Sequence, residues 1–422
     1  MKNTDYFKNK RITVVGLARS GLACANLLFK LGAEVSVTDN HANEAIRQTL
    51  IQLKTKDIKF ELGRHSHDFI RGRDLIITSP GVPYNAQPLI WAREFNIPVI
   101  SEIEFSWMLC PGKVIAVTGS NGKTTVTTLI GKVLEVVGKK VFVCGNTGKP
   151  FAGEVEKIED GDFVSLEVSS FQLETIDKFK PEVAVILNFS QNHLDRHKDM
   201  QEYLDVKKRI FMNQDGDNYL VLNYQDAVVK GLAKESSSKV VYFQEEQGLN
   251  PNQAAVLSVA SIFGIPLDTC LDVFRQFRGV EHRLELVAEI NNIDFINDSK
   301  STTVEATLWA LKMLKRPVVL IAGGRDKNLD YSPISDLLRQ KAKAVVLIGE
   351  AKHKIRQALS KFSPILDAVS MDEAVSLAFN MAGPGDCILL SPMCASFDMF
   401  SDYEERGIVF KRIIADLAKA KS

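Results

Sequence analysis

No apolar run in this 422-residue chain approaches the roughly 18 residues that a membrane-crossing helix needs. The opening stretch Met1-Lys-Asn-Thr-Asp-Tyr-Phe-Lys8 lacks the apolar core of a secretory signal. Neither sign of charge is in excess. Fifty-two Lys plus Arg face 52 Asp plus Glu, so no overall basic field draws the chain to nucleic acid or to a membrane. A local basic pocket for phosphates is still compatible with that balance. The six cysteines (24, 110, 144, 270, 387, 394) include no CxxC pair. That argues against a disulfide framework or thiolate zinc site, and for small buried hydrophobes in a reducing cytoplasm. With 45% hydrophobic and 25% charged residues, the composition is that of a soluble globular protein. The length suggests two to four domains at about 100–200 residues each.

The most informative stretch is Thr118-Gly-Ser-Asn-Gly-Lys-Thr-Thr125. It follows the apolar strand Val114–Val117 and precedes a helical pattern over Val126–Leu134. Backbone N–H groups and the positive end of a helix receive phosphate oxygens in such a loop. Lys123 is placed for the terminal phosphates and the Thr124 hydroxyl for Mg²⁺. The general pattern asks for a glycine at 117, where this chain has valine, so the loop is a short form.

Before it, strand Arg11–Val15, turn Gly16-Leu-Ala-Arg-Ser-Gly21, an apolar helix over 22–31 and strand Glu34–Asp39 open a mononucleotide-binding unit. Ala18 replaces the glycine that lets a backbone approach a pyrophosphate, which disfavours NAD. Asp39 stands where such folds read a ribose hydroxyl; a plain turn between strands is the alternative. Strands at Asp74–Thr78 and Pro98–Ile100 continue the alternation, and Cys110-Pro-Gly-Lys113 breaks it. After the phosphate loop come strands at Lys140–Cys144, Asp162–Val168 and Val183–Leu187. Glu167, near a strand exit, suits Mg²⁺ as an oxygen ligand or is a surface glutamate. His193 is either a candidate for the phosphate or metal cluster or a solvent-facing loop residue, whereas His197 reads as the latter. Lys207-Lys-Arg209 reads on its own as a solvated helix face. In the last third, strands at Ile293–Asn297, Pro317–Ala322, Ala344–Ile348 and Cys387–Leu390 predict a parallel sheet. Their ends deliver Asp298, Lys300, Lys327 and Ser396 to one side, although Asp298 or Ser299 would also cap the following helix.

Together these stretches resemble the Mur ligase family of bacterial cell-wall synthesis, over nearly the whole chain. The short phosphate loop matches that family's form. Leu166-Glu-Val-Ser-Ser-Phe-Gln-Leu-Glu174, Asn297-Asp-Ser-Lys-Ser-Thr302, and Ser391-Pro-Met-Cys-Ala-Ser-Phe-Asp398 with Tyr403-Glu-Glu-Arg-Gly407 match its D-glutamate-adding branch. The resemblance implies an α/β protein of three domains: a Rossmann-like N-terminal domain (1–110) for the UDP substrate, a central P-loop ATPase-type parallel sheet (111–280) for ATP and Mg²⁺, and a Rossmann-like C-terminal domain (281–422) for the amino acid. It implies a cytoplasmic, monomeric, ATP-dependent ligase joining D-glutamate to UDP-N-acetylmuramoyl-L-alanine through an acyl phosphate.

By position, the resemblance assigns Arg19, Ser20, Asp39, Gly81 and Asn146 to the UDP substrate. It assigns Gly119, Ser120, Asn121, Gly122, Lys123, Thr124, Thr125, Asn252, Arg283, Asp298 and Lys300 to ATP, and Thr302, Lys327, Ser396 and Tyr403 to D-glutamate. Thr124, Glu167, His193 and Lys207 are the metal set, with Lys123, His193 and Lys207 catalytic. Lys207 matches the family's carbamylated lysine. One stretch departs from the pattern: Val240–Phe243 runs almost directly into Gly248-Leu-Asn-Pro-Asn-Gln253, with no histidine and two asparagines two apart, so either Asn250 or Asn252 meets ATP. A sibling ligase, a nicotinamide oxidoreductase and a non-enzymatic ATP-binding switch are the competing readings.

Overall fold

A computed structural model describes residues 1–421 other than 56, 191–195, 246–247, 278 and 327–328. Three sheets are formed among them. The first has strands β1 (Arg11–Val15), β2 (Glu34–Asp39), β3 (Lys59–Leu62), β4 (Leu75–Thr78) and β5 (Val99–Ser101), in the order β3-β2-β1-β4-β5. Every neighbouring pair is parallel. Parallel neighbours need crossovers, and helices such as Arg19–Lys30 supply them, burying Cys24, Ala25, Leu27 and Leu28 against the sheet. The inner strands are covered on both faces, which is why β1 and β4 are nearly continuous Ile, Leu, Val and Thr. Each fully buried aliphatic side chain there contributes about 1.5–3 kcal/mol.

The second sheet has β6 (Lys113–Thr118), β7 (Val141–Gly145), β8 (Phe163–Glu167), β9 (Val183–Ile186), β10 (Tyr219–Asn223) and β11 (Lys239–Phe243), in the order β11-β10-β9-β6-β8-β7 and all parallel. Its central strand β6 feeds the helix Lys123–Val136.

The first two sheets belong to one compact unit, Met1–Gln276. One apolar cluster runs through both, from Phe7 and Val14 to Phe105, Phe151, Phe179 and Leu220. Two carboxylates of the helix Glu102–Leu109 stitch them together. Glu104 accepts the N–H groups of Asp177, Lys178 and Phe179 at 2.8–3.0 Å, and Glu102 accepts that of Ala152 at 2.7 Å. Glu102 is fully buried, and burial, partly offset by the Ala152 N–H, pushes its carboxyl up to about 7.

The second unit, Phe277–Ser422, carries β12 (Glu285–Ile290), β13 (Ile293–Asn297), β14 (Val318–Gly323), β15 (Ala342–Ile348), β16 (Ile365–Asp367) and β17 (Cys387–Leu390). Their order is β12-β13-β17-β14-β15-β16. This sheet is not wholly parallel as expected, because β12 is an antiparallel edge strand with an irregularity between Leu286 and Ala288. The two-residue turn Asn291-Asn292, both at positive φ, permits that reversal. All six cysteines are buried and free. No helix among the described residues is long and apolar enough to cross a membrane.

Candidate active site

In the first sheet the strand order reverses between β1 and β4, and a cavity of about 590 Å³ opens at their C-terminal ends. Arg19, Ser20, Asp39, Gly81 and Asn146 all line it, although they come from four separate stretches of chain. Gly16 and Ser79 form its floor, joined by the Ser79 hydroxyl donating to the Gly16 carbonyl at 2.8 Å. Gly21 is required here for space. A Cβ at 21 would lie 1.9 Å from the Gly16 oxygen, so only glycine lets the helix start pack on the turn. Asp39 accepts the N–H groups of Leu17 at 2.7 Å and His41 at 2.8 Å, so it braces the turn as well as facing the cavity. Asn146, Gly148 and Pro150 add a wall from the central domain, and Arg19 reaches the Gly148 carbonyl at 3.5 Å.

At the phosphate loop, Gly122 has φ +83° and caps the helix Lys123–Val136. The loop is sewn to the chain after β9. Asn121 N–H donates to Asn188 Oδ1 at 2.9 Å, Asn188 Nδ2 donates to the Asn121 carbonyl at 3.1 Å, and the Ser120 hydroxyl donates to Ser190 O at 3.0 Å. His193 follows in that chain but lies outside the described residues. Asn252, near the start of the helix Pro251–Ile262, packs on the loop: a Cβ at 122 would lie 2.4 Å from its Oδ1. Asn250 instead caps that helix, exchanging hydrogen bonds with Gln253. Of the two asparagines, therefore, Asn252 is the one beside the loop, even though the preceding segment is short.

Glu167 ends β8 directly opposite Val117 of β6. It is buried, and its Oε1 accepts from Asn146 Nδ2 at 2.9 Å and Thr147 Oγ1 at 3.0 Å. A strand end thus carries the carboxylate to the foot of the phosphate loop, where it also orients the cavity residue Asn146.

Lys207 does not lie on a solvated face. It is completely buried, while its neighbours Lys208 and Arg209 are partly exposed. Its amine donates to the Gly119 carbonyl at 3.0 Å and Thr118 Oγ1 at 3.3 Å, over the ring of Tyr203. Lys123 donates to the same Gly119 carbonyl at 2.9 Å and to Ser120 O at 3.0 Å. The two nitrogens are thus no more than about 6 Å apart, where unit charges repel by roughly 3 kcal/mol at an effective dielectric near 20. Burial first, and Lys123 second, hold the Lys207 amine well below its usual pKa. His197 also differs from expectation. It is buried against Phe171 and Tyr203, with Nε2 3.0 Å from Ser170 Oγ, and burial lowers its pKa. It lies in the bend before the helix Met200–Lys208, folded back onto the Tyr203 ring rather than facing solvent.

The second unit assembles its own cluster at the ends of β13 and β17. Asp298 is buried, accepting Leu284 N–H at 3.2 Å and Ser391 Oγ–H at 2.8 Å. Burial, eased by the charge of Arg283, pushes it up to about 6. The Lys300 ammonium stands 5.7 Å from the ring centre of Tyr403, and His282 meets that ring edge-on. Thr302 donates its N–H to the Lys300 carbonyl, and Ser396 is buried in the turn before Met399 and Phe400. Neither Asp298 nor Ser299 caps the next helix: Thr303 does, accepting from Ala306 N–H. Lys327 lies outside the described residues.

A residue with no expected role organises this cluster. Arg406 is buried, and its guanidinium donates to Ser299 Oγ (2.9 Å), Ser299 O (2.8 Å), Cys394 O (3.2 Å) and Ala395 O (3.3 Å). It holds the Asn297–Thr302 and Ser391–Asp398 stretches in place. The sequence signal was the stretch Tyr403–Gly407 itself, which placed an arginine just inside a helix start.

Comparison with known proteins agrees with this three-sheet layout. The Mur ligase MurD-like N-terminal domain matches residues 10–101, the Mur ligase middle domain residues 117–265, and the Mur ligase glutamate ligase domain residues 282–394. A Thermoanaerobacter pseudethanolicus protein named UDP-N-acetylmuramoylalanine–D-glutamate ligase is 38% identical over 98% of this chain and 99% of its own length. One of the same name from Acidobacterium capsulatum is 39% identical over 96% of each. Among solved structures, UDP-N-acetylmuramate-alanine ligase from Thermotoga maritima superposes with a TM-score of 0.58 at 19% identity, over 98% of this chain and 100% of that one. A pseudomurein peptide ligase from Methanothermus fervidus gives 0.55 at 19% identity, over 97% and 100%.

Proposed function

The chain belongs to the Mur ligase family, and on that premise we propose how its residues carry out the ligation. It is an ATP-dependent ligase that adds D-glutamate to UDP-N-acetylmuramoyl-L-alanine in peptidoglycan precursor synthesis. The observation that supports the residue assignment is the convergence of Lys123 and Lys207 on the Gly119 carbonyl.

Residues 1–110 hold the UDP substrate, 111–280 the nucleotide and 281–422 the amino acid. Arg19, Ser20, Asp39, Gly81 and Asn146 bind along the UDP moiety in the cavity they line. The backbone N–H groups of Gly119–Thr125 and the Lys123 ammonium receive the ATP phosphates, with Asn252 beside them. Arg283, Asp298 and Lys300 serve the nucleotide. Thr302, Lys327, Ser396 and Tyr403 serve D-glutamate.

The donor set fits Mg²⁺: a buried carboxylate at Glu167, a hydroxyl at Thr124, the imidazole of His193, and Lys207 once carbamylated. A neutral amine adds CO₂ and releases a proton, and burial, which lowers the Lys207 pKa, favours that neutral form. The resulting carbamate is an oxygen-bearing anion, which suits the metal as an ammonium cannot. When bound, Mg²⁺ offsets the repulsion between the substrate carboxylate and the γ-phosphate. Lys123 neutralises charge on that phosphate and holds it in line for the carboxylate. The carboxylate of UDP-N-acetylmuramoyl-L-alanine displaces ADP to give an acyl phosphate. The amine of D-glutamate then attacks the acyl carbon, and phosphate leaves. The enzyme acts as a cytoplasmic monomer. A coupled assay of ADP release tests the reading, with D-glutamate exchanged for L-glutamate, L-lysine and D-alanine.

A further inference from the structure

We propose that Arg196 is a positioning residue that fastens one wall of the UDP-substrate cavity to the nucleotide-bearing sheet. The inference rests on the ligase reading and concerns a residue to which that reading gives no role.

Arg196 lies between β9 and the helix Met200–Lys208. Its guanidinium forks onto Glu174, with Nε 3.1 Å from Oε1 and Nη2 2.6 Å from Oε2. Nη2 also donates to the Val82 carbonyl at 2.8 Å, and the guanidinium lies 4.6 Å from the ring centre of Phe171. Both side chains are largely enclosed, Arg196 at 13% exposure and Glu174 at 10%. Val82 belongs to the turn after β4, whose Gly81, Val82 and Pro83 line the 590 Å³ cavity. Glu174 follows the short helix Ser170–Leu173, itself just beyond Glu167. One side chain therefore joins the substrate cavity to the segment that carries Glu167.

Two arginines tie this turn. Its neighbouring residues Tyr84 and Asn85 line a second cavity of about 560 Å³; Arg93 donates to the Tyr84 carbonyl at 3.1 Å, and Arg196 to the Val82 carbonyl two residues before it. The backbone bonds from Val82 N–H to the Ser79 carbonyl and from Ala86 N–H to the Pro83 carbonyl are local to the turn. The planar fork of arginine satisfies two carboxylate oxygens and still reaches a carbonyl. A lysine ammonium cannot hold both oxygens and the carbonyl in that plane. Removing either member of an enclosed ion pair strands the other, so the two act as one unit.

The test measures calorimetric affinity for UDP-N-acetylmuramoyl-L-alanine without ATP, affinity for a non-hydrolysable ATP analogue, and KM for each substrate. Arg196→Lys and Glu174→Gln should each weaken UDP-substrate binding by about ten-fold, with a matching rise in its KM. Affinity for the ATP analogue should stay at its wild-type value, while the melting temperature of each single variant falls by a few degrees because one charge of the pair is stranded. The double variant should be little worse than either single one. Wild-type UDP-substrate affinity in either folded variant overturns the proposal. So does an equal loss of affinity for both ligands, since that marks a general structural strut. A wild-type protein that binds the UDP substrate yet releases no phosphate with D-glutamate contradicts the ligase reading instead. The binding arms still decide the role of Arg196 in that case.

Discussion

Lys123 and Lys207 share one acceptor, the carbonyl oxygen of Gly119, at 2.9 and 3.0 Å. Two ammonium groups are poorly accommodated there, and burial, with the charge of Lys123 second, lowers the pKa of the enclosed Lys207. Lys207→Ala should lower kcat by about a thousand-fold, with partial rescue by formate or acetate, which restore oxygen donors at the vacated site. Lys207→Arg should not be rescued, because a guanidinium keeps its charge and fills the space. Steady-state ADP release with and without added carboxylate checks both.

Two glycines should respond oppositely to a single methyl group. Gly122→Ala meets a left-handed backbone and the Asn252 carboxamide 2.4 Å away, so KM for ATP should rise by at least about ten-fold. A Cβ at Gly81 meets nothing within 4 Å, so Gly81→Ala should melt within about a degree of wild type. Thermal melts and ATP titrations separate the two.

Arg406 offers a test in the second unit. Arg406→Met leaves the Ser299 and Cys394 carbonyls without the guanidinium donor inside the protein, while the Ala395 carbonyl keeps the Arg325 N–H. The expected cost is about 3–5 kcal/mol of stability, with a raised KM for D-glutamate in whatever fraction remains folded. Chemical denaturation and a D-glutamate titration measure these effects.

Glu102 should make stability depend on pH. Its folded-state pKa, about 7, lies above the ordinary 4.5 because of burial. The folded chain therefore holds its proton over a range where the unfolded chain has lost it. The contribution is fully present below about pH 4.5 and is lost as pH rises through about 7. Glu102→Gln removes this dependence. The variant should gain on wild type between pH 5 and pH 8 by up to about 3 kcal/mol, as read by denaturant midpoints at the two values.

What was legible in the sequence follows from what each residue must do locally. The phosphate loop, the turn after β1 and the inner strands carry their signals in adjacent residues, and the structure forms them there. The strands not anticipated include β3, β12 and β16, which sit at sheet edges and are only partly buried. Such strands need no continuous apolar run. Strand β10, Tyr219-Leu-Val-Leu-Asn223, did carry that run. Lys207 and His197 misled for one reason: a charged or polar residue in a polar stretch reads as solvated, and only the packing around Tyr203 and the phosphate loop shows that the helix turns Lys207 inward and that the bend before it buries His197. Arg406 and Arg196 were opaque because their partners lie far along the chain, at Ser299 and at Val82 and Glu174.

The central claim is that ATP is spent to activate a carboxyl group for the amine of D-glutamate. The measurement that tests it most directly is ADP release by the purified chain with UDP-N-acetylmuramoyl-L-alanine and Mg²⁺. The account expects turnover with D-glutamate, none with L-glutamate, L-lysine or D-alanine, and none for Lys123→Ala. ADP release that is indifferent to the amino acid supplied, or undiminished in Lys123→Ala, would contradict it.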